Sequence, residues 1–276
     1  MPFETTQPVI AFIGAGNMAK AIITGLINSG YPAQKIIATN RSEQKLQRLH
    51  SSLGISIAET NAQAAQKAEV IILAVKPGVV AEVCSKMADM INHQLILSLA
   101  AGITIESIQK HFKTNPSVIR AMPNTPCLIS KGTIGIYGDE GVNSDQRSFV
   151  ESLFENLGKT VWIDCEKQMD IVTALSGSGP AYYFYLTEAL IKAGVDLGLD
   201  EDICSSLVNQ TALGAVAMLN NEDNQSAKEL RIAVTSPNGT TAAAIRIFDE
   251  HKLTEIIGSA IQSATNRGIE MSKQSE

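Results

Sequence analysis

Residues Val9–Ile22 read VIAFIGAGNMAKAI, and this stretch decides the fold. An apolar run typical of a buried strand leads into Gly14–Ala19, which fits the pattern G-x-G-x-x-G/A. Gly14 is expected to make a tight turn, Gly16 to let the backbone approach a pyrophosphate, and Ala19 to let a helix pack on the strand. That helix would direct its free N–H groups at the phosphates. The stretch therefore predicts a dinucleotide site rather than an incidental turn.

Further short apolar runs typical of strands recur along the first part of the chain. They begin at Lys35, Val70, Leu95, Ser117 and Gly132. Segments with helical spacing lie between several of them: after the second run, Ser42 can cap a helix, Leu46 and Leu49 share a face, and Gly54 ends the pattern. Alternating strands and helices predict an α/β domain with a parallel, doubly wound sheet.

After Thr160 the pattern changes to long helical stretches rich in Ala, Leu and Gly. Pro180 stands where a first helical turn tolerates proline. Small residues that would let helices approach closely are Ala212, Gly214, Ala215 and Ala217. We therefore predict a dinucleotide-binding domain over residues 1–164 and an all-helical substrate and dimerisation domain over residues 165–276. The large apolar share of the helices predicts a homo-oligomer.

Composition limits the possible partners. The 276 residues carry a net charge of −6, with Lys and Arg scattered singly, which argues against nucleic acid and favours a small ligand. The four cysteines form no C-x-x-C pair and the four histidines are widely separated, so we predict neither a metal site nor disulfides. No signal peptide is evident, and the apolar stretch from Leu95 is shorter than the roughly 20 residues of a membrane span. These features predict a soluble, cytoplasmic protein with reduced thiols and no membrane partner.

The residues after the second strand indicate which dinucleotide is bound. A site for NAD usually has an acidic residue there, to bind the ribose 2′-hydroxyl. In this chain Asn40, Arg41 and Ser42 take that place. Arg41 can pair with a 2′-phosphate and stack on adenine, so we predict NADPH, with NADH as a weaker alternative. The competing interpretation is a solvated loop arginine followed by a plain N-cap serine.

Two later loops are expected on the same side of the sheet. Lys76-Pro77-Gly78 and Ala100-Ala101-Gly102 each follow a strand, and ligands of open α/β sheets bind beyond the carboxyl ends of strands. Ordinary turns are the alternative for both loops. The predicted cofactor-binding residues are Ile13, Gly14, Ala15, Gly16, Asn17, Met18, Asn40, Arg41, Ser42, Asn61, Ala74, Val75, Lys76, Pro77, Ala100, Ala101 and Gly102.

Five further motifs occur in order along nearly the whole chain. They are AVKP from Ala74, SLAAGITI from Ser98, RAMPNTP from Arg120, LSGSGPAY from Leu175 and VTSPNGTT from Val234. Together they resemble the Δ1-pyrroline-5-carboxylate reductase family. The resemblance implies reduction of the C=N bond of a cyclic imino acid to L-proline with NAD(P)H, the last step of proline biosynthesis. It also implies a Rossmann domain followed by a helical domain that interlocks with a second subunit, the dimers often forming a decamer.

The resemblance assigns substrate roles to one loop. The family pattern SPGGxT falls on residues 236–241, and it implies that Ser236, Gly239 and Thr240 hold the substrate carboxylate. It places Thr241 among the substrate-binding residues as well, beside the ring nitrogen, and makes it the catalytic residue. Asn238 replaces a family glycine; because Asn tolerates the left-handed region, we expect an intact loop.

Two other functions remain open at this point. A β-hydroxyacid dehydrogenase also has a Rossmann domain followed by helices, but by resemblance that class places a catalytic lysine soon after its interdomain glycine motif. No lysine follows Ser176-Gly-Ser-Gly-Pro180 before Lys192. The other alternative is a non-catalytic NADPH-binding sensor. Imine reduction itself needs no activated nucleophile, because a protonated imine is already a good electrophile.

Overall fold

The computed structural model describes residues 7–220 and 225–273. Eight strands form one sheet in the order β3-β2-β1-β4-β5-β6-β7-β8. The strands are β1 Ile10–Ile13, β2 Ile36–Thr39, β3 Ser56–Ile57, β4 Val70–Leu73, β5 Leu95–Ser98, β6 Val118–Pro123, β7 Gly132–Gly138 and β8 Gly158–Trp162. In register, Ile10 of β1 lies opposite Ile36 of β2 on one side and Val70 of β4 on the other.

Strands β1 to β6 run parallel, which confirms the predicted doubly wound sheet. The last two strands depart from the prediction: β7 is antiparallel to β6, and β8 runs parallel to β7. The reason is the connection. A parallel crossover needs a dozen or more residues, whereas only residues 124–131, which form a 3₁₀ turn at Thr125–Ile129, separate β6 from β7.

Helices cover both faces of the sheet. In the described chain they are α1 Asn17–Asn28, α2 Glu43–Leu53, α3 Asn61–Lys67, α4 Val80–Met87, α5 Ile105–Gln109, α6 Ser144–Phe154, α7 Met169–Val172, α8 Gly179–Asp196, α9 Glu201–Leu219, α10 Ala227–Ala233, α11 Thr240–Glu250 and α12 Leu253–Lys273. Ile10 and Phe12 of β1 pack in the core under α1, α2 and α6, while Ala11 and Ile13 pack under α3, α4 and α5. Burial on both faces explains why the central strands read as continuous apolar runs.

The helix after β2 begins and ends as the sequence predicts. The Ser42 hydroxyl accepts a hydrogen bond from Lys45 N at the start of α2, and Gly54 ends the helix at φ +68°. Leu46 and Leu49 are both buried. Glycine reaches this left-handed conformation without the steric cost that a Cβ brings, which is why it closes the helix.

The chain folds into two compact units. The first, the sheet unit, runs to Pro180 and resumes at Ser263; the second, the helical unit, is Ala181–Gln262. The boundary between the compact units therefore falls after residue 164, because α7 packs tightly on β7. A Cβ added to Gly135 of β7 would lie 2.3 Å from Val172 Cγ1 of α7. The functional boundary between residues 164 and 165 stays a prediction.

The helical unit contains α9, α10 and α11, most of α8 and the first half of α12. Helices α8 and α9 approach closely at Gly194, where an added Cβ would lie 2.7 Å from Cys204 Sγ. The predicted close approach at Gly214 is not made within the described chain, since no atom lies within 4 Å of a Cβ added there. Over the described ranges, none of the helices combines the length and the apolar character that a membrane span needs.

Candidate functional site

The glycine turn after β1 is fixed by its neighbours in the sheet. Gly14 has φ +97°, and a Cβ added to it would lie 2.7 Å from the Ala74 carbonyl oxygen and 2.9 Å from Val75 Cγ1. The Gly14 N–H donates to the Thr39 carbonyl oxygen at 3.1 Å. The turn therefore joins the carboxyl ends of β1, β2 and β4, and only glycine fits at its first position.

Gly16 is a glycine for a different reason. Its φ of −80° suits any residue, it is exposed, and no atom lies within 4 Å of an added Cβ. Nothing in the chain itself therefore requires a glycine at this position. The open space lies at the start of α1, where no side chain caps the first-turn N–H groups of Asn17, Met18 and Ala19. An uncapped helix start with room beside it fits a phosphate group.

The loop after β2 presents an unneutralised charge. Arg41 is exposed and forms no hydrogen bond or ion pair with any described residue. Its guanidinium helps to lower the pKa of the exposed carboxyl of Glu82, although the hydrogen bond from Lys86 is the main cause. Ser42 caps α2 through its oxygen, as the competing interpretation predicts, and its O–H can still donate.

Asn61 contacts the end of β2, the strand that leads into the Arg41 loop. It is the first residue of α3, and the Thr39 hydroxyl donates to Asn61 Oδ1 at 2.7 Å. The sequence predicts a cofactor role for Asn61 but gives no signal for Thr39. The sequence could not reveal the role of the Thr39 hydroxyl, because Thr39 and Asn61 come into contact only when β2 and β3 pair.

The loops after β4 and β5 lie at the same edge of the sheet. Lys76 is exposed and precedes a 3₁₀ turn at Pro77–Val79, while Ala100 is buried and its N–H donates to Ser98 Oγ at 3.3 Å. Gly102 has φ +70°, and an added Cβ would lie 3.2 Å from Met271 Cβ of α12. Packing within the sheet unit therefore explains Gly102 as glycine, and its cofactor role stays a prediction.

The loop at residues 236–241 is a turn that ends in a helix start. Asn238 has φ +60°, in the left-handed region that Asn tolerates, which is consistent with the intact loop expected from the sequence. The Gly239 N–H donates to the Ser236 carbonyl oxygen at 3.0 Å, and Gly239 is the N-cap of α11. No side chain caps the first turn, so the N–H groups of Thr240 and Thr241 remain available beside two exposed hydroxyls. This arrangement can bind a carboxylate.

The predicted residues thus form two groups. The cofactor set lies at the carboxyl edge of the sheet unit, whereas Ser236, Gly239, Thr240 and Thr241 belong to the helical unit. Within the first group, Gly14 lies against Ala74 and Val75, and Thr39 joins it to Asn61. Within the second, Gly239 is hydrogen-bonded to Ser236.

Asn124 is a connecting residue that the sequence does not predict. Its Nδ2 donates to the Ser176 carbonyl oxygen at 3.0 Å, and its Oδ1 accepts from Thr133 N at 3.0 Å. The receiving segment, Thr173–Gly177, is a π-helical turn between α7 and α8. The motifs RAMPNTP and LSGSGPAY therefore meet at the carboxyl end of β6. One sequence signal could have indicated the role of Asn124: it is an asparagine directly after a buried strand.

Other ionisable groups have structural partners. Buried Arg120 donates to Glu166 Oε1 at 2.9 Å, and the Ile105 N–H donates to the same oxygen at 2.7 Å. Burial raises the pKa of Asp170, against the opposing effect of Arg120. Burial also raises the pKa of the Cys84 thiol to about 12, so it is not a nucleophile at neutral pH. Over the described ranges no three His, Cys, Asp or Glu side chains come together as a metal site.

A doubly wound sheet with a glycine turn and an uncapped helix start at its switch point defines a dinucleotide-binding protein of the Rossmann class. A family model described as "NADP oxidoreductase coenzyme F420-dependent" matches residues 9–102, and one described as "Pyrroline-5-carboxylate reductase dimerisation" matches residues 166–271. The pyrroline-5-carboxylate reductase of Haemophilus influenzae is 41% identical over 95% of this chain and 97% of its own.

Solved structures agree with these matches. The chain is 40% identical to a pyrroline-5-carboxylate reductase from Coxiella burnetii, with a TM-score of 0.89 over 97% of this chain and 99% of that one. A pyrroline carboxylate reductase from Plasmodium falciparum, solved with NADP bound, is 28% identical, with a TM-score of 0.85 over 96% and 98% of the two chains. The chain belongs to the pyrroline-5-carboxylate reductase family of oxidoreductases.

Proposed function

We propose that this protein reduces the C=N bond of 1-pyrroline-5-carboxylate to L-proline with NADPH, the last step of proline biosynthesis. The observation that carries the proposal is the loop at residues 236–241. It combines free N–H groups and hydroxyls at the start of α11, in a chain whose sheet unit holds a dinucleotide turn. Family membership supports the same reaction, because the relatives carry this name over nearly their whole length.

The substrate roles follow from the chemistry of the loop. Ser236, Gly239 and Thr240 would hold the carboxylate through hydroxyl and backbone N–H donors, and Thr241 would lie beside the ring nitrogen. The bound nicotinamide supplies the hydride. A protonated imine accepts hydride readily, so a neutral hydroxyl such as that of Thr241 can orient the nitrogen without a strongly shifted pKa. Holding the reacting atoms about 3 to 3.5 Å apart is then the main task of the protein.

We further propose that the seventeen cofactor residues predicted from the sequence bind the dinucleotide, and that NADPH is preferred over NADH. Open space beside Gly16 and the uncapped start of α1 fit the pyrophosphate. The unpaired guanidinium of Arg41 fits a 2′-phosphate, which an acidic residue at this position would repel.

We also propose that the protein is a homodimer, and that dimers assemble further, up to a decamer. Large apolar side chains on α8 and α9 are exposed in one chain; Tyr185 is 74% and Leu213 66% exposed. The matched family model for this region is itself described as a dimerisation domain. The four cysteines are free, which suits the reducing cytoplasm as the place of action.

The first test is oxidation of NADPH, followed at 340 nm with pyrroline-5-carboxylate as substrate, beside the same assay with NADH. We expect turnover with NADPH preferred. Replacing Thr241→Ala should lower kcat about 100-fold, because the hydroxyl beside the ring nitrogen is lost. NADP⁺ affinity, measured by calorimetry, should not change.

The matched control is Thr235→Ala, because the Thr235 hydroxyl is already used by its own chain, donating to the Arg231 carbonyl oxygen at 2.6 Å. This variant should retain wild-type kcat. A folded wild-type protein that binds NADPH without oxidising it would contradict the reductase proposal and favour a hydroxyacid dehydrogenase or a sensor. Full activity in the Thr241→Ala variant would contradict only the role of that residue.

A further inference from the structure

Thr39 lies at the centre of a hydrogen-bonded group at the end of β2. Its side chain is almost fully buried, with 4% of the residue exposed. Its carbonyl oxygen accepts from the Gly14 N–H at 3.1 Å. Its hydroxyl lies 2.7 Å from Asn61 Oδ1 and 3.5 Å from the Phe12 carbonyl oxygen. One residue therefore contacts both the glycine turn and the first residue of α3.

The single hydroxyl proton determines which way the Asn61 amide faces. A buried hydroxyl must donate its proton, because an unpaired buried donor costs about 1–3 kcal/mol. Asn61 Oδ1 at 2.7 Å is a much better acceptor than the Phe12 oxygen at 3.5 Å. The amide oxygen of Asn61 is thereby held against Thr39, and the amide NH₂ group keeps its two N–H donors for another partner.

The NH₂ group has no acceptor in the described part of the chain. Asn61 is half-buried, and its only side-chain hydrogen bond there is the one from Thr39. It lies beyond the carboxyl end of β2, and the Arg41 loop follows that same strand end. This is the half of a doubly wound sheet that binds one mononucleotide of a dinucleotide. Two oriented donors at this edge suit a ribose or phosphate oxygen.

We propose that Thr39 is a positioning residue for the adenosine half of the dinucleotide. It acts through Asn61, whose amide oxygen it holds so that both N–H donors are presented to an oxygen of the ligand. It also accepts from Gly14, so the same residue joins this donor pair to the pyrophosphate turn. The inference rests on the proposed NADPH-dependent function and adds a residue to its cofactor site.

The test uses Thr39→Val, which keeps the shape and β-branching of the side chain but removes the hydroxyl. We expect the Kd for NADP⁺, measured by calorimetry on the full chain, to rise about 3- to 10-fold, which corresponds to one lost hydrogen bond. The Kd for adenosine 2′,5′-bisphosphate should rise by the same factor, because the effect lies in the adenosine half. Thr39→Ser should restore both affinities, and kcat should stay unchanged.

A double-mutant cycle separates positioning from general damage. Asn61→Ala should weaken NADP⁺ binding, and adding Thr39→Val to it should cause no further loss, because Thr39 acts through Asn61. Thr160→Val is the matched control: the same substitution on β8, at the opposite edge of the sheet, should leave the Kd unchanged. Thr39→Ala serves as a second hydroxyl-free variant if Thr39→Val melts well below the wild type.

The outcomes are distinct. Additive losses in the double variant, or a Thr39→Ser variant as weak as Thr39→Val, would overturn the positioning role while leaving the reductase proposal intact. A wild-type chain that fails to bind NADP⁺ would instead overturn the proposed cofactor, and the role of Thr39 with it.

Discussion

Among single residues, Gly14 and Gly16 are glycines for different physical reasons. Gly14 is required by the chain, since its positive φ and the nearby Ala74 carbonyl oxygen exclude a side chain. Gly16 has an ordinary φ and empty space around it, so only an approaching ligand would require glycine there. Substitution at Gly14 should therefore damage the fold, whereas substitution at Gly16 should damage binding.

Arg41 carries the prediction on cofactor choice. Arg41→Ala should lower kcat/KM for NADPH about 10- to 100-fold, the contribution of a charge-assisted contact with the 2′-phosphate, and leave kcat/KM for NADH nearly unchanged. The measurement is steady-state kinetics with each cofactor.

The matched control for Arg41 is Arg267→Ala. It removes an exposed arginine of the same unit that already pairs with Glu270, so the NADPH/NADH ratio should stay at the wild-type value. An Arg41→Ala variant with an unaltered ratio would show that the arginine is only a solvated loop residue.

Sequence reasoning succeeds at this scale where the constraint is local. An intact loop at Asn238 was expected because Asn tolerates αL, and the residue has φ +60°. The contact between Thr39 and Asn61 could not be predicted, because 22 positions separate them along the chain. Whether Gly102 serves a ligand or packing was equally undecidable, since its neighbour Met271 lies on α12.

At the scale of elements, the junction between β6 and α8 depends on one amide side chain. Asn124 donates to Ser176 O and accepts from Thr133 N, so it fixes the π turn and the start of β7 together. A Cβ added to Gly177 in the turn would lie 2.7 Å from Met122 Cε, so β6 and the turn are in close contact. π-helical turns are uncommon and frequently occur at functional sites.

Asn124→Ala should destabilise the protein by about 2–4 kcal/mol, because it removes the two hydrogen bonds to Ser176 O and Thr133 N and leaves both backbone groups unpaired. Asn124→Asp should cost about half as much, since it keeps the acceptor for Thr133 N. The measurement is urea denaturation at one fixed protein concentration.

Ser176→Ala provides the comparison for this experiment. Its hydroxyl donates to Val172 O within its own helical segment, and its backbone carbonyl, which Asn124 contacts, is unaffected. The stability should therefore change by less than about 0.5 kcal/mol. Equal losses in Ser176→Ala and Asn124→Ala would mean that the amide does not hold the turn.

Elements with a strong apolar pattern were predictable, and irregular ones were not. Six of the strands coincide with apolar runs in the sequence. Strand β3 was missed because it has only two residues, and β8 because its alternate side chains are exposed at the sheet edge. The sequence does not predict the π turn at Thr173–Gly177, because its geometry depends on Asn124, which is distant in sequence.

At the scale of the whole molecule, the two units differ in how well one chain buries its apolar surface. The central strands of the sheet unit are fully buried. The helical unit leaves large apolar side chains exposed along its helices, including Phe184 at 68% and Leu207 at 57%. Exposed apolar surface on this scale indicates an interface.

Replacing Leu213→Glu on α9 should therefore split the assembly, because a charge buried in an apolar interface is strongly unfavourable. Light scattering coupled to gel filtration should show a smaller species. The variant should still bind NADP⁺ but fail to reduce the imine if the loop at residues 236–241 completes a site across the interface.

Val161→Glu is the control for the oligomer experiment, because it places the same charge at an exposed apolar residue of the sheet unit. It should leave both assembly and activity unchanged. A fully active monomer of the Leu213→Glu variant would refute the shared site.

The return of α12 to the sheet unit affects how the protein is made. Gly102 packs against Met271, and Asp170 packs against Gly268. At a synthesis rate of about 5–20 residues per second, the partner of Gly102 leaves the ribosome roughly 10–30 s after Gly102 itself. The sheet unit is therefore still incomplete while the helical unit is being translated. Throughout that interval the surface of the nascent chain that α12 later covers is exposed. A chaperone that shields this surface would have to release it before α12 can dock.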